Sequence, residues 1–154
     1  MSEKRVLSFD PGGSTGWALY EESGALPYAG LKRWAFGTLG PEPHHKALWD
    51  LMHGIAPTLV IWEEFIYQRR ELDRGVSLEL ISRNYIGIME LYCELRAVNG
   101  YESRLAYKKF WDDTKLGKVN LYSQTKHSRD ATRHLLYYLT FVKKDPRWIQ
   151  ALKA

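Results

Sequence analysis

Short apolar runs alternate along this chain with clusters of turn-forming residues, and the spacing of each run predicts its element. "RVLSF" (5–9) is β-branched and apolar and predicts a strand; "GWALY" (16–20) predicts a second, in hairpin relation to the first across "DPGGST" (10–15). After the break "SGALPYAG" (23–30), "LKRWAFGTL" (31–39) predicts a third strand. In "HHKALWDLMHGI" (44–55), Leu48, Leu51, Met52 and Ile55 recur at helical spacing, and Pro57 lies just beyond the end. "TLVIW" (58–62) is almost entirely apolar, as expected of a strand covered on both faces. From Val76 to Val98 the positions Leu80, Ile81, Ile88, Leu91, Tyr92 and Leu95 predict the longest helix, with Asn99-Gly100 as its stop. "YESRLAY" (101–107) is expected to be a fifth strand and "DDTKLGKVN" (112–120) a polar loop. Ser123 is the expected N-cap of a helix running to about Phe141. The order βββαβαβα predicts an α/β fold with a mixed five-stranded sheet flanked by helices in a single domain, 1–142, followed by a loose basic tail, 143–154.

The ends of two predicted strands carry the candidate chemistry. The first strand runs into Asp10 and the fourth into Glu63. If these strands are parallel neighbours, about 4.8 Å apart, both carboxylates emerge at one end of the sheet. Two acids that close repel each other unless one takes a proton or a cation sits between them. Glycines after Asp10 let backbone approach such a site closely. In "TKHSRDATRHLLYYL" (125–139), His127 and Asp130 are three apart and project from one helix face. Three carboxylates and one imidazole form an oxygen-rich set that suits Mg²⁺ or Mn²⁺ better than a structural zinc ion. Each piece has an ordinary alternative: a turn at Asp-Pro-Gly-Gly, a solvated strand end at Glu63 and Glu64, and helix-surface pairing of Asp130 with Lys126 or Arg133.

Composition narrows the partners. The 154 residues carry 22 Lys and Arg against 18 Asp and Glu, a net charge of +4, which by itself is a weak bias toward polyanions. The excess is concentrated: between Arg104 and Arg133 lie eight basic residues (Arg104, Lys108, Lys109, Lys115, Lys118, Lys126, Arg129 and Arg133) against Asp112, Asp113 and Asp130. This stretch is a candidate phosphate-tracking surface, its alternative being a solvated basic face. Arg69, Arg70 and Arg74 follow Glu63 and are further candidates for nucleic-acid contact. Cys93 is the single cysteine, which excludes an intrachain disulfide and a cysteine-rich zinc site. With no apolar leader and no run of 18 apolar residues, a cytoplasmic protein is expected.

The order and spacing of "LSFDPGGSTGWAL", "LVIWEEFIY" and "HSRDATRHLL" resemble the RuvC family of Holliday junction resolvases in the ribonuclease H-like superfamily, and more closely its compact phage branch. The resemblance spans nearly the whole chain. It implies a homodimeric, structure-selective DNA endonuclease of recombination and repair that resolves four-way and related branched junctions by phosphodiester hydrolysis with two metal ions, Mg²⁺ with Mn²⁺ substituting. The family's catalytic and metal-binding roles carry over to Asp10, Glu63, His127 and Asp130, with His127 standing where some members have an acid. Asp10 would bridge the ions, with Glu63 on one and His127 and Asp130 on the other. Glu64 is a rival to Glu63, since a bulge would rotate either into the site. Where the family tends to place an aromatic, three residues after the catalytic Glu, this chain has Ile66, flanked by Phe65 and Tyr67 as alternative contacts to unpaired bases. The long helix 76–98 is the expected dimer face. A less selective flap, fork or RNA–DNA hybrid nuclease, or a junction-binding module without catalysis, would share most of these features.

Overall fold

A computed structural model describes residues 4–22, 33–66 and 78–154. Five strands form one mixed sheet: β1 (Lys4–Asp10), β2 (Thr15–Glu22), β3 (Trp34–Leu39), β4 (Leu59–Glu63) and β5 (Asn99–Ser103), in the spatial order β3-β2-β1-β4-β5. The two hairpin partners are antiparallel, and β4 and β5 join as parallel strands on the other side of β1. Among the described residues the helices are α1 (His45–Ile55), α2 (Leu78–Arg96), α3 (Asp113–Lys118), α4 (Lys126–Tyr137) and α5 (Arg147–Lys153), with a 3₁₀ turn over Leu105–Lys109.

The central strands bury both faces, so alternation along them sorts residues between two cores rather than between core and water. Leu7, Phe9, Val60 and Trp62 join Leu48 and Met52 of α1 and Ile86 and Met89 of α2 on one side. Val6 and Ile61 join Leu135 and Leu136 of α4 and Leu139 on the other. The expected α/β class, mixed sheet and strand count are thus observed.

Four local expectations differ. The strand after α2 starts at Asn99, not Tyr101, because Ala97, at φ 52°, already turns the chain in the left-handed region. The 112–120 segment is not all loop: Asp112 accepts from the Lys115 amide at 2.9 Å and caps α3, whose Leu116 is fully buried beside Trp111 and Leu121. Thr125, not Ser123, caps α4, its hydroxyl accepting from the Ser128 amide, while the Ser123 hydroxyl bonds the Ser128 side chain at 2.6 Å. The helix does extend to about Phe141 as expected, its last part a wider turn over Tyr138–Val142. Finally, residues 143–154 are not loose. Trp148 of α5 is buried edge-on against Tyr20 and Trp34, with ring centroids at 5.9 and 5.7 Å. An indole on a short basic helix has more to gain from burial than the flanking charges lose, since their ends remain in water.

Candidate active site

The register brings the two strand-end acids together. Phe9 pairs with Trp62 across the parallel β1–β4 ladder, so the next residues, Asp10 and Glu63, leave the sheet side by side. Helix α4 lies across this end and supplies His127 and Asp130 from the same face. Its approach depends on Gly16 of β2: a Cβ there would fall 2.0 Å from the His127 carbonyl carbon and 2.2 Å from its oxygen. The turn after Asp10 is fastened from two sides. Ser82 of α2 donates to the Pro11 carbonyl at 3.1 Å, and the Thr15 hydroxyl is 2.7 Å from Nε2 of buried His44.

Every acid in the site faces a cation or an imidazole. Nδ1 of His127 is 3.0 Å from Asp10 Oδ2. The Lys108 ammonium lies 3.4 Å from Glu63 Oε1 and 3.6 Å from Asp130 Oδ2, while Arg133 donates to Asp130 and to Asp113. Nε2 of His134, fully buried, is 3.2 Å from Glu63 Oε2. Glu64 points elsewhere, its Oε1 accepting from the Leu105 amide at 2.9 Å to start the 3₁₀ turn, so Glu63 is the acid that faces Asp10.

These surroundings split the two acids. Burial, reinforced by the charge of Glu63 and only partly offset by the His127 hydrogen bond, pushes the Asp10 carboxyl up to about 6. Burial also acts upward on Glu63, but the hydrogen bonds of His134 and Asp10 and the positive charge of Lys108 outweigh it and hold that carboxyl down at about 2. The hydrogen bond to Asp10 raises His127, burial opposing it. The pair therefore has one committed carboxylate, Glu63, and one, Asp10, that is easily protonated.

Among the described residues, no three acid or imidazole groups already converge as a cage for an ion. The acids are instead satisfied in pairs, and the Lys108 ammonium sits between two of them as a single positive charge. The donor set nonetheless fits a divalent cation. It offers three largely buried carboxylates and one half-exposed imidazole, an oxygen-rich set of the kind that binds Mg²⁺ or Mn²⁺.

The sequence-predicted contact residues fall into groups. Lys108 and Arg133 are in the site itself. With Lys109, Lys126, Asp112 and Asp113 they line a groove of about 650 Å³ beside Asp130. Lys118 is exposed on α3. Lys115 donates to the Phe110 carbonyl and lies over its ring, and Arg129 donates to the Ser123 and Gln124 carbonyls while covering Tyr122. Phe65 is half-buried against the core that contains Trp62, and Ile66 is exposed. Tyr67, Arg69, Arg70 and Arg74 lie outside the described residues. Sequence reasoning passed over Ser103, His134 and the spacing role of Gly16. His134 had a signal, because His127, Asp130 and His134 occupy positions i, i+3 and i+7 of one helix face.

No protein-family model matches the sequence, and no curated protein matches it. Solved structures do match. The chain superposes on T. thermophilus RuvC in complex with a Holliday junction substrate with a TM-score of 0.62, 15% identity, and coverage of 91% of this chain and 95% of that one. A second Thermus thermophilus RuvC structure gives 0.56, 21% identity and coverage of 90% and 95%. The fold is RuvC-like. The ribonuclease H-like architecture expected from the motifs is therefore observed, with Asp10, Glu63, His127 and Asp130 gathered at one end of its sheet.

Proposed function

We propose that this chain is a divalent-metal-dependent endonuclease that resolves four-way and related branched DNA junctions. One observation carries the reading: Asp10 and Glu63 end neighbouring parallel strands of a RuvC-like fold, and His127 and Asp130 are laid over them by α4. Asp10, Glu63, His127 and Asp130 are the residues that would hold Mg²⁺ or Mn²⁺, two ions by analogy with two-metal nucleases. When bound, such ions supply an activated water for in-line attack and neutralise charge on the leaving 3′-oxygen. The protein's own residues would prepare the site: His134 and Lys108 keep Glu63 ionised, Asp10 would be the carboxyl whose proton a bound cation displaces, and Lys108, between Glu63 and Asp130, would be the positive charge nearest an incoming phosphate.

The groove bearing Lys109 and Lys126 supports a path for the phosphate backbone away from the site. Arg69, Arg70, Arg74 and Tyr67, just past Glu63 in sequence, are proposed to meet the junction centre, together with Phe65. A homodimer is proposed because a four-way junction has approximate two-fold symmetry, which two related sites would match. Leu91 and Leu95, 47% and 65% exposed on the outer side of α2, support that helix as the dimer face.

The test is cleavage of an end-labelled mobile four-way junction beside a duplex, a flap and a fork, in Mg²⁺ or Mn²⁺, by wild type and Asp10→Asn. Symmetric nicks confined to the junction and lost in the variant are expected. Equal cutting of flaps and forks would reduce the junction to one substrate among several, and cutting of none would overturn catalysis.

A further inference from the structure

Below the acids lies a polar chain that no packing requirement explains. Ser103, the last residue of β5, and His134 of α4 are both fully buried. The Ser103 hydroxyl is 2.6 Å from His134 Nδ1, and His134 Nε2 is 3.2 Å from Glu63 Oε2. A carboxylate can only accept, so Nε2 carries a proton; in the neutral ring Nδ1 then accepts from the Ser103 hydroxyl. The hydroxyl thereby selects the ring's tautomer, and the ring ties down one oxygen of Glu63. The other oxygen, Oε1, is turned toward the Lys108 ammonium, which also faces Asp130.

Burying a hydroxyl and an imidazole beside a carboxylate costs desolvation that an aliphatic residue would avoid. The next two positions of α4, Leu135 and Leu136, pack into the core as ordinary hydrophobes. We infer that Ser103 and His134 are a positioning pair that holds Glu63 by Oε2 and leaves Oε1 as the one oxygen offered to a divalent cation. This rests on the nuclease reading above. It assigns to Ser103 a role through His134, and to His134 a role through Glu63, neither touching the substrate.

The experiment measures Mn²⁺ affinity of the DNA-free protein by electron paramagnetic resonance, then Mg²⁺ dependence of junction cleavage, for wild type, Ser103→Ala, His134→Leu and His134→Gln. Partners behind metal ligands typically govern affinity by about 10- to 100-fold. His134→Leu is expected to weaken Mn²⁺ binding about tenfold or more and to raise the Mg²⁺ concentration for half-maximal cutting more than it lowers the maximal rate. His134→Gln, which keeps a donor near the Nε2 position, should recover most of the loss. A well-folded His134→Leu protein with wild-type Mn²⁺ affinity overturns the inference. If that variant does not fold, Ser103→Ala decides: weaker Mn²⁺ binding at unchanged melting temperature supports the pair, and unchanged binding overturns it. A wild type that binds no Mn²⁺ and cuts no junction sinks the nuclease reading and this inference together, whereas a cutting wild type with indifferent variants sinks this inference alone.

Discussion

Gly16 in β2 lies so close to His127 that the backbone of α4 occupies the space where any other residue would carry its Cβ. The start of the site-bearing helix is therefore set by contact with a strand. Gly16→Ala should lower stability by about 1–3 kcal/mol, the range for forced overpacking. Cutting should fall more than stability explains, on the order of 10²-fold, because His127 and Asp130 shift together relative to Asp10. Urea unfolding and single-turnover cleavage on the same preparation separate the two effects; unchanged cleavage would show that α4 tolerates displacement.

Asp10 is held at a cost to the fold. Its carboxyl rises from 3.8 to about 6, and at 1.36 kcal/mol per unit its ionisation weighs against the native state by about 2–3 kcal/mol above pH 7. Asp10→Asn should therefore melt at a higher temperature than wild type in metal-free buffer at pH 8, while cleavage falls on the order of 10⁴-fold or more, as for removal of one member of a cooperating catalytic set. A variant that melts lower would show that the carboxylate is a net stabiliser.

The pH dependence follows from the same group. Because the folded value of Asp10 is raised, its burden on stability is absent below pH 4 and grows as pH rises toward 6. Glu63 acts oppositely: its folded value is lowered, so its contribution is present above about 4.5 and is lost as pH falls toward 2. If Asp10 is a metal ligand as proposed, it must be ionised for cutting, which should then decline as pH drops through about 6 at low Mg²⁺. Protons and the cation compete for one carboxylate, so raising Mg²⁺ should move the midpoint to lower pH. A midpoint indifferent to Mg²⁺ would exclude Asp10 as the titrating group.

The C-terminal helix gives a test of domain extent. Trp148→Ala, which empties an indole site between Tyr20 and Trp34, should cost about 3–5 kcal/mol, and removal of 143–154 at least as much. If these residues were a loose appendage, neither change would alter the melting temperature.

Lys109 and Lys126 line the groove at the edge of the site without contacting its acids. Replacing either with Ala should weaken binding to junctions of different sequence about equally. Each should also reduce the slope of log affinity against log salt by about 1, as loss of one phosphate contact does. Fluorescence anisotropy across a salt series checks this, and an unchanged slope would remove that lysine from the DNA path.

Much of the fold is written in local patterns. The apolar runs 5–9, 16–20 and 58–62 determine strands because β-branched and aromatic residues fit a pleated sheet, and the continuous apolar character of β1 and β4 marks them as buried on both faces. From that alone, Asp10 and Glu63 at strand ends and His127 and Asp130 at helical spacing are legible as candidates. Tertiary structure decided what those residues meet. The parallel pairing of β1 with β4 made neighbours of two acids 53 positions apart, and the contact at Gly16 set where α4 lies. Lys108, placed by sequence in a basic surface, became the counter-ion of Glu63 and Asp130, and His134, seven residues beyond His127, became the partner of Glu63. The docking of Trp148 likewise depended on a Tyr20–Trp34 surface more than a hundred residues earlier. Spacing fixes which side chains share an element's face, because helix and strand periods are local. The charge opposite each side chain depends on contacts distant in sequence, which exist only once the sheet has closed against its helices.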